Sequence, residues 1–214
     1  MNYLRSGWSD DDVLLFSIAI FTILLLFLSL TLWIVKKRGL CGEKRIMAWV
    51  YGHRNPFFDM LFGALTHFGS LKILLPIDLA LSIAAVEEGY SRVVLLANLG
   101  FFAAVISVYL IKFIISRERP NEVLSAQELP ADPSFPSAHT LQVFSFSIML
   151  WLAIVSISES MHPTLALYLL LLASAVGFSR VYLQVHYLSD IFAGVLLALF
   201  WGVIVVVIFK TGVL

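Results

Sequence analysis

The stretch VLLFSIAIFTILLLFLSLTLWIV, at residues 13–35, contains 23 residues and no charge. The hydrocarbon core of a bilayer is about 30 Å thick, and a helix needs about 20 apolar residues to cross it. The stretch therefore predicts a membrane-spanning helix. It is too long for the apolar region of a secretory signal peptide, and Lys36, Lys37 and Arg38 follow it directly.

Five further apolar runs follow along the chain. They lie at residues 71–86, 93–111, 140–157, 163–178 and 191–209. The run at 71–86 gives the weakest signal, because Lys72 and Asp78 interrupt it. Backbone groups inside a bilayer must pair within their own segment, so these runs are predicted to be helices and not strands. The sequence thus predicts an all-α, polytopic membrane protein with six transmembrane helices, forming one domain over residues 1–214.

The composition supports this class of protein. Of the 214 residues, 60% are hydrophobic and 13% are charged, whereas about 25% are charged in an average soluble domain. This excludes a soluble globular domain and a disordered chain. The 14 basic and 14 acidic residues give no net charge, so no nucleic-acid partner is expected. With Cys41 as its single cysteine, the chain can form neither an internal disulfide nor a cysteine metal cluster.

The segment at residues 43–70 mixes aromatic and charged side chains, for example Trp49 and Phe58 with Lys44 and Arg54. This mixture predicts an interfacial amphipathic helical segment on the membrane surface, broken near Pro56.

Three groups of polar residues lie near the ends of the later spans. They are Lys112 with Arg119 and Pro120, then Pro136, Ser137, Ala138 and His139, and finally Ser179, Arg180, His186 and Asp190. Lys112 and Arg119 are seven residues apart, which places both on one face if the helix continues. With six spans, the loops after spans three and five lie on the same side of the membrane. The three groups are therefore predicted to meet in one pocket.

These residue types suit phosphoryl chemistry. Arginine and lysine bind phosphate oxygens and stabilise the charge of the transition state. A neutral histidine such as His186 can attack phosphorus, and Asp190, one helical turn later, can fix its tautomer. His139 can protonate the leaving oxygen, and Ser137 with nearby backbone amides can bind phosphate.

Each group also has a simpler structural interpretation. Lys112 and Arg119 can be interfacial cations that extend to the head groups. Ser137 can be an ordinary helix cap, and His186 with Asp190 can be a buried polar pair between helices. Their joint occurrence on one membrane face favours the functional interpretation.

The spacing of these groups resembles the type-2 phosphatidic acid phosphatase family, the integral-membrane branch of the acid phosphatase and vanadium haloperoxidase superfamily. That family carries Lys, six residues and Arg-Pro, then Pro-Ser-Gly-His, then Ser-Arg, five residues, His, three residues and Asp. The spacings here match throughout, and the resemblance covers about residues 57–214. In this chain Ala138 replaces the glycine. If only the backbone N–H of that residue is used, alanine serves nearly as well, with some narrowing of the pocket. If a positive φ is needed, alanine would be strained.

The resemblance implies a role for each residue. His186 would be the nucleophile that forms a phosphohistidine, Asp190 would orient it, and His139 would protonate the leaving group. The phosphate would be bound by Lys112, Arg119, Ser137 and Arg180. The family implies no metal and no cofactor. The expected substrate is a lipid phosphate monoester or pyrophosphate, with phosphatidylglycerophosphate, phosphatidic acid and undecaprenyl pyrophosphate as candidates. A phosphotransferase that uses the same histidine, and a non-catalytic membrane protein that binds anionic lipid, remain alternatives.

Other polar residues are expected to lie outside the pocket. His53 and His67 are interpreted as structural, and His162 is placed on the opposite membrane face together with Glu87, Glu88 and Arg92. Asp78 has no partner that the sequence identifies. Arg117 and Glu118 border the pocket and are expected either to touch a lipid head group or to be solvated.

The orientation in the membrane has two conflicting indications. The predicted pocket face carries basic residues at 36–38, 44, 45 and 54, which the positive-inside rule assigns to the cytoplasm. The family resemblance instead implies an extracytoplasmic site in the cell membrane. We expect the family orientation, because an interfacial segment can hold basic residues for anionic lipids.

Overall fold

The structure, a computed structural model, describes residues 9–37, 39–120 and 131–211. Its helices are α1 Asp10–Lys37, α2 Glu43–Gly52, α3 Pro56–Leu65, α4 Leu71–Glu87, α5 Ser91–Ile115, α6 Ala138–Ser158, α7 Pro163–Tyr182 and α8 Leu188–Thr211. A 3₁₀ turn at Thr66–Gly69 joins α3 to α4. No residue in the described ranges lies in a strand. The all-α prediction is therefore confirmed.

Five helices, α1, α5, α6, α7 and α8, are long and apolar enough to cross a membrane. A pair of segments, Pro56–Gly69 and Leu71–Glu87, passes the same test only when both are taken together, and the bend of 50° between them fits either a broken span or a re-entrant loop. This bent pair contains the run with the weakest sequence signal, and α4 alone has 17 residues. The described residues thus form five candidate spans, or six if the bent pair crosses as one, and the pair includes α3, which the sequence assigned to the interfacial segment.

The segment predicted to be interfacial folds into two short helices. The chain leaves the helical conformation between α2 and α3, and Pro56 is the first residue of α3. Asn55 caps α3, because its side chain accepts a hydrogen bond of 3.0 Å from the Phe58 N–H. Proline is favoured at this position, where no intrahelical N–H bond is lost. The predicted break near Pro56 is confirmed.

Helix α6 lies between α5, α7 and α8, while α1 packs on α8. The largest core cluster includes Phe101 of α5, Leu141 of α6 and Leu197 of α8. A Cβ at Gly194 of α8 would lie 2.9 Å from the Ser137 carbonyl oxygen. Glycine therefore lets α8 approach the beginning of α6 closely, which brings two of the polar groups together.

The outer surface of the bundle is apolar. Leu14, Phe21 and Leu32 of α1 are exposed in the isolated chain, as expected for side chains that face lipid. This surface and the long apolar helices identify a multi-pass membrane protein.

Candidate active site

His186 lies in the turn between α7 and α8 and is buried. Its Nδ1 is 3.4 Å from Asp190 Oδ2, and its Nε2 is 3.1 Å from an Arg119 nitrogen. A guanidinium can only donate hydrogen bonds, so Nε2 accepts and the ring proton belongs on Nδ1, towards Asp190. Burial, with added repulsion from Arg119 and Arg180, holds the pKa of His186 well below its usual value. The ring is therefore neutral near pH 7, with a lone pair on Nε2.

Asp190 is fully buried in the first turn of α8. Its Oδ2 accepts hydrogen bonds from the Ser134 hydroxyl, at 2.5 Å, and from the Tyr187 N–H, at 2.9 Å. Its Oδ1 accepts a hydrogen bond from Arg117 at 2.6 Å. The carboxylate is thus fixed on both oxygens, and one of them faces the His186 ring.

Lys112 and Arg119 share a partner that the sequence did not single out. Lys112 Nζ is 2.8 Å from Asp132 Oδ2, and an Arg119 nitrogen is 2.7 Å from Asp132 Oδ1. Burial alone would raise the pKa of Asp132, but the two cations outweigh it and hold that pKa below its usual value. Asp132 is therefore a carboxylate that occupies donors which could otherwise bind an anion.

The predicted helical relation between Lys112 and Arg119 is wrong. Helix α5 ends at Ile115, and Ser116 has a φ of 45°, so the chain turns before Arg119. The two side chains meet because this turn folds Arg119 back over the pocket. Arg119 also donates to the carbonyl oxygen of Val185 at 2.9 Å.

Arg180 and His139 approach the pocket from α7 and α6. Arg180 is buried and donates to the Thr66 hydroxyl at 2.5 Å, and its Nε has no hydrogen-bond partner among the described residues. His139 is partly buried and lies within electrostatic reach of Arg180, Arg119 and His186. Both predicted histidines therefore lie within electrostatic range of each other and of the same two arginines, and the Nε–H of Arg180 has no acceptor among the described residues.

Ser137 is the cap of α6. Its hydroxyl oxygen accepts hydrogen bonds from the Thr140 N–H at 3.5 Å and from the Thr140 hydroxyl at 3.0 Å. Ala138 is the first residue of α6 and does not have a positive φ. Alanine therefore fits the backbone at this position without strain. The sequence left open whether this position needs a positive φ, which would strain alanine, and the structure shows that it does not.

Arg117 and Glu43 were missed as members of the site. Arg117 was expected to be solvated or to touch a head group, and Glu43 was assigned to an interfacial helix. Both are buried and form an ion pair with each other, and Arg117 also binds Asp190. An expectation based on local sequence places these charges in water, because their partners are distant in sequence.

The remaining polar residues do not join the pocket. His53 Nδ1 is 2.8 Å from the Trp49 carbonyl oxygen, and His162 Nε2 is 2.7 Å from the Ser158 hydroxyl. His67 is exposed in the 3₁₀ turn. Asp78 lines a cavity of about 170 Å³ between α4, α5 and α6. Within the described ranges, no group of three His, Cys, Asp or Glu side chains is arranged to hold a metal ion.

Gly69 of the 3₁₀ turn packs closely against His139, with no room for a side chain between them. A Cβ at Gly69 would lie 2.7 Å from a Val176 methyl and 3.0 Å from both the Cβ and the carbonyl oxygen of His139. We expect Gly69→Ala to lower the stability by about 1–3 kcal/mol and to reduce activity by displacing the imidazole. The matched control is Gly63→Ala, where an added Cβ meets nothing within 4 Å. Thermal unfolding in detergent measures the effect, and equal melting temperatures for both variants would contradict the expectation.

Comparisons with known proteins identify the family and the fold of the chain. A model of the PAP2 superfamily matches residues 93–213, and no curated protein matches the chain. The fold is similar to a crystal structure of a transmembrane PAP2-type phosphatidylglycerolphosphate phosphatase from Bacillus subtilis, with a TM-score of 0.76 and 23% identity over 87% of this chain and 93% of that one. It is also similar to the crystal structure of Aquifex aeolicus LpxE, with a TM-score of 0.60 and 26% identity over 78% of this chain and 95% of that one. Since the matched segment contains every polar group of the pocket that the sequence predicted, the chain belongs to the PAP2 superfamily, with the fold of its membrane phosphatases.

Proposed function

We propose that this protein is an integral-membrane phosphatase that hydrolyses a lipid phosphate monoester or pyrophosphate through a phosphohistidine. The observation that carries the proposal is the state of His186. A buried, neutral imidazole presents Nε2 to a pocket lined by Arg119 and Arg180, while Nδ1 faces a fixed carboxylate. Nε2 can attack phosphorus once Arg119, which donates to it in the structure, turns to bind a phosphate oxygen.

The reaction has two steps. The Nε2 lone pair of His186 forms a bond to the terminal phosphorus, and the bond from that phosphorus to the leaving oxygen breaks. His139, protonated when the phosphate anion binds beside it, gives its proton to that oxygen. Water then attacks the phosphohistidine, His139 takes a proton from the water, and the P–N bond breaks to release inorganic phosphate. Asp190 stabilises the positive charge that develops on the His186 ring in each step.

Fixed side chains balance the charge of the phosphoryl group. Lys112, Arg119 and Arg180 lie near the His186 ring and contribute to its electrostatic field. The Nε of Arg180 gains a hydrogen-bond partner when a phosphate oxygen enters. The N–H groups at the first turn of α6 and the Ser137 hydroxyl add further donors. We propose on this basis that the reaction is independent of metal ions.

The substrate class follows from where the pocket lies. It is formed at the ends of membrane-spanning helices, so a phosphate at head-group level reaches His186 while the lipid tail stays in the bilayer. The described polar groups bind phosphate and not the tail. Phosphatidylglycerophosphate, phosphatidic acid and undecaprenyl pyrophosphate are the substrates that we propose. We propose to assay phosphatidylglycerophosphate first, because a PAP2-type phosphatidylglycerolphosphate phosphatase has a similar fold.

Phosphate release by the purified protein tests this function. The protein in detergent is given each lipid in turn, without an acceptor and with excess EDTA, and inorganic phosphate is measured. We expect release from at least one lipid, and inhibition by vanadate. Transfer to an added acceptor without hydrolysis indicates a phosphotransferase, and lipid binding without turnover indicates a non-catalytic protein. Loss of activity in EDTA with recovery in magnesium contradicts metal independence.

We propose further that the protein resides in the cell membrane with the pocket on the extracytoplasmic face. A reporter fused to the C-terminus tests this, because an even number of spans puts that terminus on the side opposite the pocket. A cytoplasmic signal supports the orientation, and an external signal overturns it.

Asp132 competes with an incoming anion for Lys112 and Arg119. Removing its charge in Asp132→Asn frees both cations, so we expect vanadate to bind about fivefold more tightly, the size expected for loss of a partly exposed ion pair. Inhibition of phosphate release measures the affinity. Asp59→Asn serves as the control, because Asp59 pairs with Arg54 and not with the pocket cations. Weaker vanadate binding in Asp132→Asn would show that the carboxylate holds the cations in place and does not compete.

A further inference from the structure

A buried chain of charges extends from the catalytic pocket to the beginning of α2. Asp190 Oδ1 accepts from Arg117, and a second Arg117 nitrogen donates to Glu43. The Ser189 hydroxyl also links Arg117 to Glu43, since it accepts a hydrogen bond from Arg117 at 2.7 Å and donates one to Glu43 at 2.7 Å. The side chains of Arg117, Glu43 and Asp190 are at most 7% exposed. Such a cluster is costly to bury unless every member is paired.

The Arg117 guanidinium is held in one orientation. Its carbon lies 4.2 Å from the centre of the Tyr187 ring, and its nitrogens bind carboxylates on two sides. Because arginine presents its donors in a rigid plane, these contacts fix Oδ1 of Asp190 and leave Oδ2 to face His186. Neither Arg117 nor Glu43 belongs to the residues assigned above to phosphate binding or proton transfer.

We propose that Arg117 and Glu43 are positioning residues that act on His186 through Asp190. Arg117 orients the Asp190 carboxylate, and its positive charge compensates the negative charge of Asp190. Glu43 holds Arg117 in place, and its own negative charge partly cancels the positive charge of Arg117 that acts on Asp190. Glu43 lies upstream of the segment that the superfamily model matches. The N-terminal part of the chain thereby contributes to the site. The proposal rests on the proposed function, because it concerns the same histidine.

The two positioning residues have opposite charges, which gives a test that a merely structural role does not pass. The cluster of Glu43, Arg117 and Asp190 carries one net negative charge. Arg117→Gln leaves two negative charges beside His186, so the His186–Asp190 pair binds a proton more readily. Glu43→Gln leaves none, so the pair binds a proton less readily. The other charged groups around His186, which are Lys112, Arg119, Arg180 and His139, stay the same in both variants.

The pH dependence of kcat is the first measurement. His186 must be neutral to attack, so its protonation defines the acidic limb of the profile. We expect Arg117→Gln to move this limb to higher pH by about one unit, and Glu43→Gln to move it to lower pH. Arg117→Gln should also lower kcat by roughly 10- to 100-fold, the size typical of groups that orient an essential histidine. KM should stay unchanged, because neither residue touches phosphate.

Three further measurements complete the test. Arg117→Lys restores the positive charge but not the planar arrangement of donors. The acidic limb of its pH profile should therefore lie at the wild-type pH, while kcat recovers only in part. Arg54→Gln is the control for loss of an arginine from an ion pair elsewhere, since Arg54 pairs with the partly exposed Asp59, and its profile should match the wild type. Titration of the histidine ring by NMR of ¹⁵N-labelled protein should show the same shifts without any substrate.

The outcomes separate this proposal from the proposed function. Shifts of the His186 titration in opposite directions support the positioning role, even if no lipid in the panel is hydrolysed. Shifts in the same direction, or no shift in folded variants, overturn it. If Arg117→Gln does not fold, the nearly isosteric Glu43→Gln decides the matter alone, because only the positioning role predicts a shift to lower pH.

Discussion

His186→Ala is expected to lose phosphate release by a factor on the order of 10⁴ or more, as is typical when the nucleophile of a covalent mechanism is removed. His186 Nε2 is the one atom that forms a bond to phosphorus in the proposed reaction, and alanine offers no replacement. The measurement is the initial rate of phosphate release from the lipid that the wild type hydrolyses best. Labelled phosphate on the protein, trapped by rapid denaturation at alkaline pH, should appear in the wild type and be missing in the variant.

His53→Ala is the matched control for this experiment. The ring of His53 is exposed and bonds only to the Trp49 carbonyl oxygen among the described residues, so its loss should change neither rate nor labelling. Full phosphate release by His186→Ala would falsify the phosphohistidine mechanism. Labelling of a different residue in that variant would assign the nucleophile elsewhere.

His139→Ala is expected to slow hydrolysis of a lipid phosphate by roughly 10²- to 10⁴-fold, the usual contribution of a general acid. His139 lies in the first turn of α6, in electrostatic contact with Arg180 and His186. It is the second histidine in the pocket and the proposed donor of a proton to the lipid oxygen. An alkoxide is a poor leaving group, so the rate without this proton should fall strongly.

The leaving group separates this role from a purely structural one. An aryl phosphate with an acidic phenol leaves without a proton, so His139→Ala should retain much more of its wild-type rate on such a substrate than on a lipid phosphate. His186→Ala should lose both activities, because it lacks the atom that attacks in each case. An equal loss on both substrates in His139→Ala would show that His139 shapes the pocket and does not transfer the proton.

Much of the fold followed from local sequence patterns. The apolar runs identified the spans, because the thickness of a bilayer sets the length of a helix that crosses it. Pro56 marked the break between α2 and α3, because proline fits the first turn of a helix and not its interior. The second predicted span was the weakest in sequence, and in the structure it belongs to a pair of segments with a bend of 50° between them.

The composition of the pocket was less predictable. Counting spans predicted that the three polar groups, which contain Lys112, His139 and His186, share one membrane face. Asp132 did not stand out, because one aspartate in a polar loop has no periodic pattern. Arg117 and Glu43 were assigned to the surface, because no local rule pairs two charges that lie 74 positions apart.

The sequence by itself determined which stretches form long apolar helices and which polar side chains stand near their ends, and from these it predicted a shared membrane face and phosphoryl chemistry. These properties depend on hydrophobic length and on side-chain type, both of which act locally. Only the tertiary structure decided which carboxylate faces which cation. The turn after Ile115 carries Arg117 to Asp190 and Arg119 to Asp132, although the two arginines are two residues apart. Ion pairs of this kind form across helices, and their partners are set by packing and not by order along the chain.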